Sequence, residues 1–244
     1  MAERMTREQR LVLTIAVLGS FVAFLDGTVV NVALPAIERE LGGGLATQQW
    51  AVDAYLITLG ALILVAGAVS DAYGRQLVLK IGLIGFGVAS VAVALSPDTT
   101  FLIVARAVQG LGGALLSPVA LSILMVTFAH GRERNIAMGV WGGLAALGGP
   151  AGVILGGVLV DTLGWESIFW FNVPVAIALV AIAPLFVRES RADLAVRSFD
   201  VAGAVLGTAG LLGVIYGVIR SEPAGWGSAE VIGSLAGGVA LLAL

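Results

Sequence analysis

Asp26 stands inside FVAFLDGTVVNVALP (residues 21–35), where nearly every neighbour is apolar, and Arg106 and Gln109 stand inside LIVARAVQGLGGALLSP (residues 102–118). A carboxylate and a guanidinium in such surroundings can pair with each other, exchange a proton or meet a charged solute. Each costs about 2.5–3.5 kcal/mol to place at the centre of a membrane helix. Asn31, on the same stretch as Asp26, and Asp53, in TQQWAVDAYLITL, are further polar candidates; for Asp53, a carboxylate at a helix start, favoured by the dipole, is an equal reading. GAVSDAYGRQLVL (67–79) sets Asp71 and Arg75 at successive helix ends, with Gly67 and Gly74 allowing close approach and a tight turn; a capped, solvated turn is the plain alternative. No hydrolytic or metal centre is legible: the chain has no cysteine and a single histidine, His130. GFGVAS and GLGGAL lie inside apolar runs with no strand before them, so neither reads as a dinucleotide loop.

The elements that carry these residues follow from composition. Of the 244 residues, 59% are hydrophobic and 12% charged, against about 45–50% and 25% in soluble domains. The apolar residues form long runs at Leu11–Leu34, Trp50–Val69, Leu77–Leu95, Phe101–Phe128, Ile136–Val160, Ile168–Val187, Val201–Ile219 and Val231–Leu244. A helix crosses the hydrocarbon in about 20 residues, so seven runs suffice and the eighth is still apolar at Leu244. Runs such as ALILVAGAV lack the two-residue alternation of barrel strands. The chain reads as an all-α, polytopic membrane protein, and the first run is too long and too polar at Asp26 and Asn31 for a signal peptide.

Charge placement predicts orientation. Arg4, Arg7, Arg10, Arg75, Lys80, Arg132, Arg134, Arg188, Arg191 and Arg197 fall on one side, Arg39 and Arg220 on the other, with Arg106 inside a helix. The positive-inside bias puts the N-terminus in the cytoplasm. Trp50, Trp165, Trp170 and Trp226 fall near the opposite ends, where an interfacial aromatic belt is expected. At 1.5 Å per residue, Arg106 lies about 7–8 Å and Asp26 about 12 Å in from the outer helix ends, so the two are expected to face each other across a cavity.

Two further patterns concern packing. Gly67, Asp71 and Gly74 repeat as Gly157, Asp161 and Gly164, one copy in an inner loop and one in an outer loop, as in the inverted repeats of secondary transporters. In GGPAGVILGG (148–157), Gly148, Gly152 and Gly156 share one helix face, Gly157 follows, and Pro150 adds a local kink; helix packing is the expected role of this stretch.

Together these stretches resemble the major facilitator superfamily, most closely its fourteen-helix drug:proton antiporter branch. FLDGTVVNVALPAI is similar to that branch's helix 1 motif, GAVSDAYGRQLVL to the superfamily's 2–3 loop motif and RAVQGLGGA to the helix 4 motif. WESIFWFNVP (165–174) and FDVAGAVLG (199–207) resemble the branch's helix 6 start and extra seventh helix. The sequence departs from the pattern at Ala72, Gln76 and Glu166, where basic residues are usual, and in helix 5, where Val153 follows Gly152 and the proline stands at Pro150. The resemblance implies a cytoplasmic N-terminus (1–10), a six-helix bundle of two inverted three-helix repeats (11–187), a cytoplasmic loop (188–200) and branch-specific helices (201–244), the last one truncated. It implies a proton-coupled exporter of amphipathic or cationic small molecules in the plasma membrane, driven by the proton gradient without a cofactor, with no enzymatic activity and no nucleic-acid partner. Asp26 and Arg106 are then the proton-coupling pair, Asn31, Asp53 and Gln109 line the substrate cavity, and Gly67, Asp71, Gly74 and Arg75 form a gating loop. Such transporters need a second six-helix bundle, so the chain is expected to be an N-terminal half or a truncated product. A major-facilitator carrier of another solute and a non-transporting membrane remnant are the alternatives; a membrane enzyme ranks last.

Cysteines placed singly at Ser70 and Ser228 should label with an impermeant reagent from the inside and the outside respectively; the reverse pattern would refute the orientation.

Overall fold

The computed structural model describes residues 5–128, 131–191 and 200–243; Arg4, His130, Arg197 and Leu244 lie outside the described residues. Polar residues flanking the apolar runs set where helices begin. Thr6 caps the first, its hydroxyl accepting the Gln9 N–H while the Gln9 side chain accepts the Thr6 N–H. Asp98, Asp200 and Ser228 cap three others, each side chain accepting one backbone N–H of the first turn. The helices are α1 (Arg7–Leu41), α2 (Gly44–Tyr73), α3 (Arg75–Ala94), α4 (Thr99–Thr127), α5 (Arg132–Leu163), α6 (Glu166–Phe186), α7 (Val201–Ala224) and α8 (Ala229–Leu242). Among the described residues, α1 to α7 are long and apolar enough to cross a membrane, and α8 is a shorter apolar helix. Most outrun the apolar runs at one or both ends, so Asp53 sits well inside α2 rather than in its first turn, which removes the simple dipole reading.

The first six helices pack as two related triplets. α2 packs on α4 while α5 packs on α1, and exchanging the first triplet with the second interchanges these contacts. With an odd number of spans per unit, the second triplet runs inverted relative to the first. The repeated glycines end equivalent helices: α2 stops at Gly74 (φ 116°) and α5 at Gly164 (φ 87°), conformations that suit a residue without Cβ. α7 and α8 form a hairpin closed by the Arg220–Glu230 pair at 2.8 Å, and a Trp50–Tyr216 ring contact with centroids 6.3 Å apart holds α7 against α2.

Small residues decide how closely the helices approach. On α4, a Cβ at Gly112 would lie 2.5 Å from the Phe86 backbone nitrogen of α3, and one at Gly110 would lie 2.5 Å from the Tyr55 carbonyl oxygen of α2. On α5, Gly148, Gly152 and Gly156 meet α1 at Phe24, Thr28 and Val29, and the Thr28 hydroxyl donates across to the Gly148 carbonyl at 3.2 Å. Gly157 has nothing within 4 Å of its Cβ position, so it takes no part in that contact, and the same holds for Gly67, where close approach was expected. α5 continues as one helix through Pro150, which is exposed.

Other expectations change as well. Trp165 is 2% exposed and its indole N–H donates to Glu40 Oε2 at 2.8 Å, so it is a core residue held by a carboxylate and not part of an aromatic belt. Ser70 is buried and its hydroxyl donates to the Gly67 carbonyl, so the accessible position for labelling that turn is Tyr73, which is 56% exposed.

Three apolar clusters fill the bundle, and the two larger ones lie on either side of a polar layer. One includes Val22, Phe86, Leu116 and Leu179, the other Val29, Val93, Leu102 and Phe169. α1, α3, α4 and α6 each pass through both, and each places a polar residue in the layer between them.

Gly112→Ala should lower stability by about 1–3 kcal/mol, because a methyl there must displace the backbone of α3. Gly207→Ala, facing open space, should be neutral or slightly stabilising. Thermal unfolding of the detergent-purified variants reads the difference, and equal melting temperatures would contradict the packing.

Candidate functional site: a buried carboxylate–guanidinium cluster

The layer between the clusters holds Asp26 of α1, Ser90 of α3, Arg106 and Gln109 of α4 and Asn172 of α6, all with no exposed surface. Arg106 and Gln109 are three apart and so share a helix face. Arg106 Nη1 donates to Asp26 Oδ2 at 2.5 Å and to Gln109 Oε1 at 2.6 Å, and its Nε donates to the Ala51 carbonyl of α2 at 2.8 Å. Asp26 Oδ1 accepts from Gln109 Nε2 at 2.9 Å and from Asn172 Nδ2 at 2.8 Å. Both amide groups also donate to Ser90 Oγ, at 2.9 and 3.3 Å. The guanidinium carbon lies 4.4 Å from the Tyr55 ring centroid and 5.6 Å from that of Phe169. Tyr55 turns its hydroxyl away to the Ala23 carbonyl at 2.9 Å.

A bare ion pair at this depth would not offset its own desolvation, which amounts to several kcal/mol per ion. The amide donors and the two aromatic faces make up the difference by solvating each charge inside the protein. Two buried polar atoms of the cluster, Arg106 Nη2 and Asn172 Oδ1, have no hydrogen-bond partner among the described residues.

The structure brings Asp26, Arg106 and Gln109 into direct contact, with no cavity between the charges. Asn31 and Asp53 stand apart. Asn31 is exposed, and its amide bonds to the Gly27 and Thr28 carbonyls of its own helix. Asp53 opens instead into a cavity of about 360 Å³ between α2 and α7, lined by Trp50, Arg220 and Glu222. Sequence reasoning missed Ser90, Tyr55 and Asn172. Asn172 carries a usable signal, an amide inside the apolar stretch IFWFNVPVAI, whereas a serine or tyrosine in a helix carries none.

At the other end of the molecule, Arg75 pairs with Asp71 at 2.6 Å. The segment after α6 holds this turn: the Glu189 carboxylate accepts from the Gln76 and Leu77 N–H groups, both at 3.1 Å, and Arg75 bonds to Ser190 through its backbone and its guanidinium. Gly74 lies against Glu189, where a Cβ would come within 2.6 Å of the carboxylate.

The family model described as Major Facilitator Superfamily matches residues 16–244. The chain belongs to that superfamily. This makes it a multi-pass membrane protein of a family of transporters. The tetracenomycin C resistance and export protein of Streptomyces glaucescens is 38% identical, over 91% of this chain and 41% of its own length. The puromycin resistance protein pur8 of Streptomyces alboniger is 37% identical over 94% of this chain and 45% of its own length. The multidrug resistance protein Stp of Mycobacterium tuberculosis (strain CDC 1551 / Oshkosh) is 37% identical over 93% and 42%. The chain therefore spans less than half the length of these curated relatives. Among solved structures, the POT family transporter PepTSo superposes with a TM-score of 0.69 at 13% identity, over 98% of this chain and 52% of that one. A bacterial homologue of the human lysosomal transporter Spinster, inward-facing and unoccupied, gives 0.65 at 19% identity, over 98% and 60%. These two similarities concern the fold.

Arg106→Met should strand the Asp26 carboxylate in the core and cost about 3–5 kcal/mol, while Asp26→Leu combined with Arg106→Met should recover most of that loss. Unfolding midpoints of the single and double variants test it, and a double variant no better than Arg106→Met would show that the pair is not coupled.

Proposed function

We propose that this chain is the N-terminal bundle of a proton-driven exporter of amphipathic or cationic small molecules, seated in the plasma membrane with its N-terminus in the cytoplasm. The observation that carries the proposal is the Asp26–Arg106 pair, buried in the polar layer of a chain that is similar to drug and antibiotic resistance proteins. An intramembrane ion pair that joins four helices is expensive, and in membrane proteins such pairs mark ion pathways and proton relays.

The chemistry follows from the partners. With Arg106 in contact, the Asp26 carboxyl accepts from three donors. Arg106 has two other acceptors, the Ala51 carbonyl and Gln109 Oε1, so it can leave Asp26 without losing all of its partners. A carboxylate released in this way takes up a proton from the side open to water and returns it when Arg106, or a cationic substrate, approaches again. Rocking of this bundle against a second one moves the site between the two sides. Asn31 lies on an exposed surface that such a second bundle and a substrate can reach, and Asp53 opens into the cavity between α2 and α7. Gly67 and Asp71 at the end of α2 lead into the turn at Gly74 and Arg75, which Glu189 and Ser190 clasp; this cytoplasmic turn opens and closes with the rocking.

Asp26→Asn in the full-length transporter keeps size and polarity and removes titration. It should abolish pH-gradient-driven efflux of a fluorescent cationic dye, by tenfold or more, while leaving the amount of protein in the membrane unchanged. Undiminished, pH-dependent efflux by this variant would make Asp26 a structural residue.

A further inference from the structure

The cluster contains a buried carbonyl oxygen that does nothing in the arrangement seen. Asn172 is fully buried, and its Oδ1 accepts no hydrogen bond among the described residues, while its Nδ2 donates to Asp26 Oδ1 at 2.8 Å and to Ser90 Oγ at 3.3 Å. Native interiors leave few such atoms unpaired, and each one asks for a reason. Here the reason lies in the charge on Asp26. An ionised carboxylate only accepts, so every neighbour must turn a donor towards it. Asn172 therefore presents its amino group, and its carbonyl is left over.

Protonation reverses the requirement. The carboxylic acid has an O–H to donate and needs an acceptor in the same dry layer. Gln109 Oε1 is taken by Arg106 Nη1 at 2.6 Å, the Ala51 carbonyl is taken by Arg106 Nε, and Ser90 Oγ already receives two amide donors. Among the described residues, Asn172 Oδ1 is the amide oxygen of the cluster that receives no donor. A half-turn of the amide about its last torsion brings Oδ1 to Asp26 and trades one idle atom for another, so the number of unpaired groups stays the same. That torsion is soft and two-fold, unlike the staggered torsions nearer the backbone.

We propose that Asn172 is a positioning residue that serves both protonation states of Asp26, donating to the carboxylate and, after a half-turn of its amide, accepting the hydrogen bond of the acid. The proton comes from hydronium on the aqueous side when the site opens and leaves a water molecule behind; the Asp26–Arg106 contact breaks, the O–H forms on Asp26, and the new hydrogen bond ends on Asn172 Oδ1. This inference rests on the reading of Asp26 as the proton site. The ionisable groups that face Asp26 are Arg106 from α4 and Tyr55 from α2. The described ionisable groups of α3, α5 and α6 (Arg75 and Lys80; Arg132, Glu133, Arg134 and Asp161; Glu166) lie near helix ends. Asn172 and Ser90 are thus the neutral members whose orientation is free to follow the charge.

The test is an infrared difference titration of the purified full-length transporter, with the Asp26 acid band identified by its loss in Asp26→Asn. Asn172→Leu is nearly isosteric and removes both donor and acceptor. Because both states lose one bond to Asp26, the titration midpoint should move by less than about half a pH unit, while the acid carbonyl band moves to higher frequency. Asn172→Thr, which can both donate and accept, should restore the parental band. In the parent itself, with the asparagine side-chain carbonyl isotope-labelled, a labelled band should shift in step with the Asp26 titration, a readout that does not require any variant to fold. A midpoint shift of about one pH unit or more in Asn172→Leu with the acid band unchanged would make Asn172 a donor to the carboxylate alone and overturn the inference. A parent in which no Asp26 band titrates would overturn the reading of Asp26 as the proton site, and this inference with it.

Discussion

The bundle is organised around one constraint: a carboxylate and a guanidinium, both fully buried, must be solvated by the protein itself. Asp26 receives three donors and Arg106 finds a carboxylate, an amide oxygen, a backbone carbonyl and two aromatic faces. These partners come from α1, α2, α4 and α6, with Ser90 of α3 behind them. Five helices must therefore converge at one level. Losing any of them leaves a charge or a dipole facing hydrocarbon, where no water replaces it.

Convergence of this kind sets the packing on either side. Above and below the polar layer the same helices are apolar, and each contributes to both clusters. α4 carries the two largest polar members of the layer, and it approaches α2 and α3 closely because Gly110 and Gly112 have no side chains to hold them off. In a membrane there is little hydrophobic drive between helices, so van der Waals fit at such points and polar contacts in the layer carry the association. The glycines of the RAVQGLGGA stretch thus complete the chemistry of Arg106 and Gln109: they allow α4 close enough to α2 and α3 for those side chains to reach Ala51 and Ser90.

The turn between α2 and α3 shows the same logic at the aqueous end. The Glu189 carboxylate occupies the N-terminus of α3, where backbone N–H groups are unpaired and the helix dipole favours an anion. Gly74 leaves space for it. The segment that follows the six-helix bundle is in this way tied back to the middle of the first repeat, which couples the two triplets at the cytoplasmic end in the proposed orientation.

The sequence by itself determined the class of the protein, the number of long apolar helices and the inverted repeat, because span length, hydropathy and turn glycines are local properties. It also singled out Asp26, Arg106 and Gln109, since charge inside an apolar run is visible without coordinates. The tertiary structure decided which of the candidates meet. Asn31 and Asp53 looked similar to Asp26 in composition of surroundings, yet neither reaches the cluster: Asn31, five residues further along α1, is turned by about 140° at roughly 100° per residue and is exposed, while Asp53 of α2 opens into the cavity beside α7. Trp165 looked interfacial and is buried on Glu40 of α1, 125 positions away in the chain. Asn172, Ser90 and Tyr55 join the cluster through helix packing alone: their roles depend on distances between segments that lie far apart in the chain, and no local pattern encodes those distances.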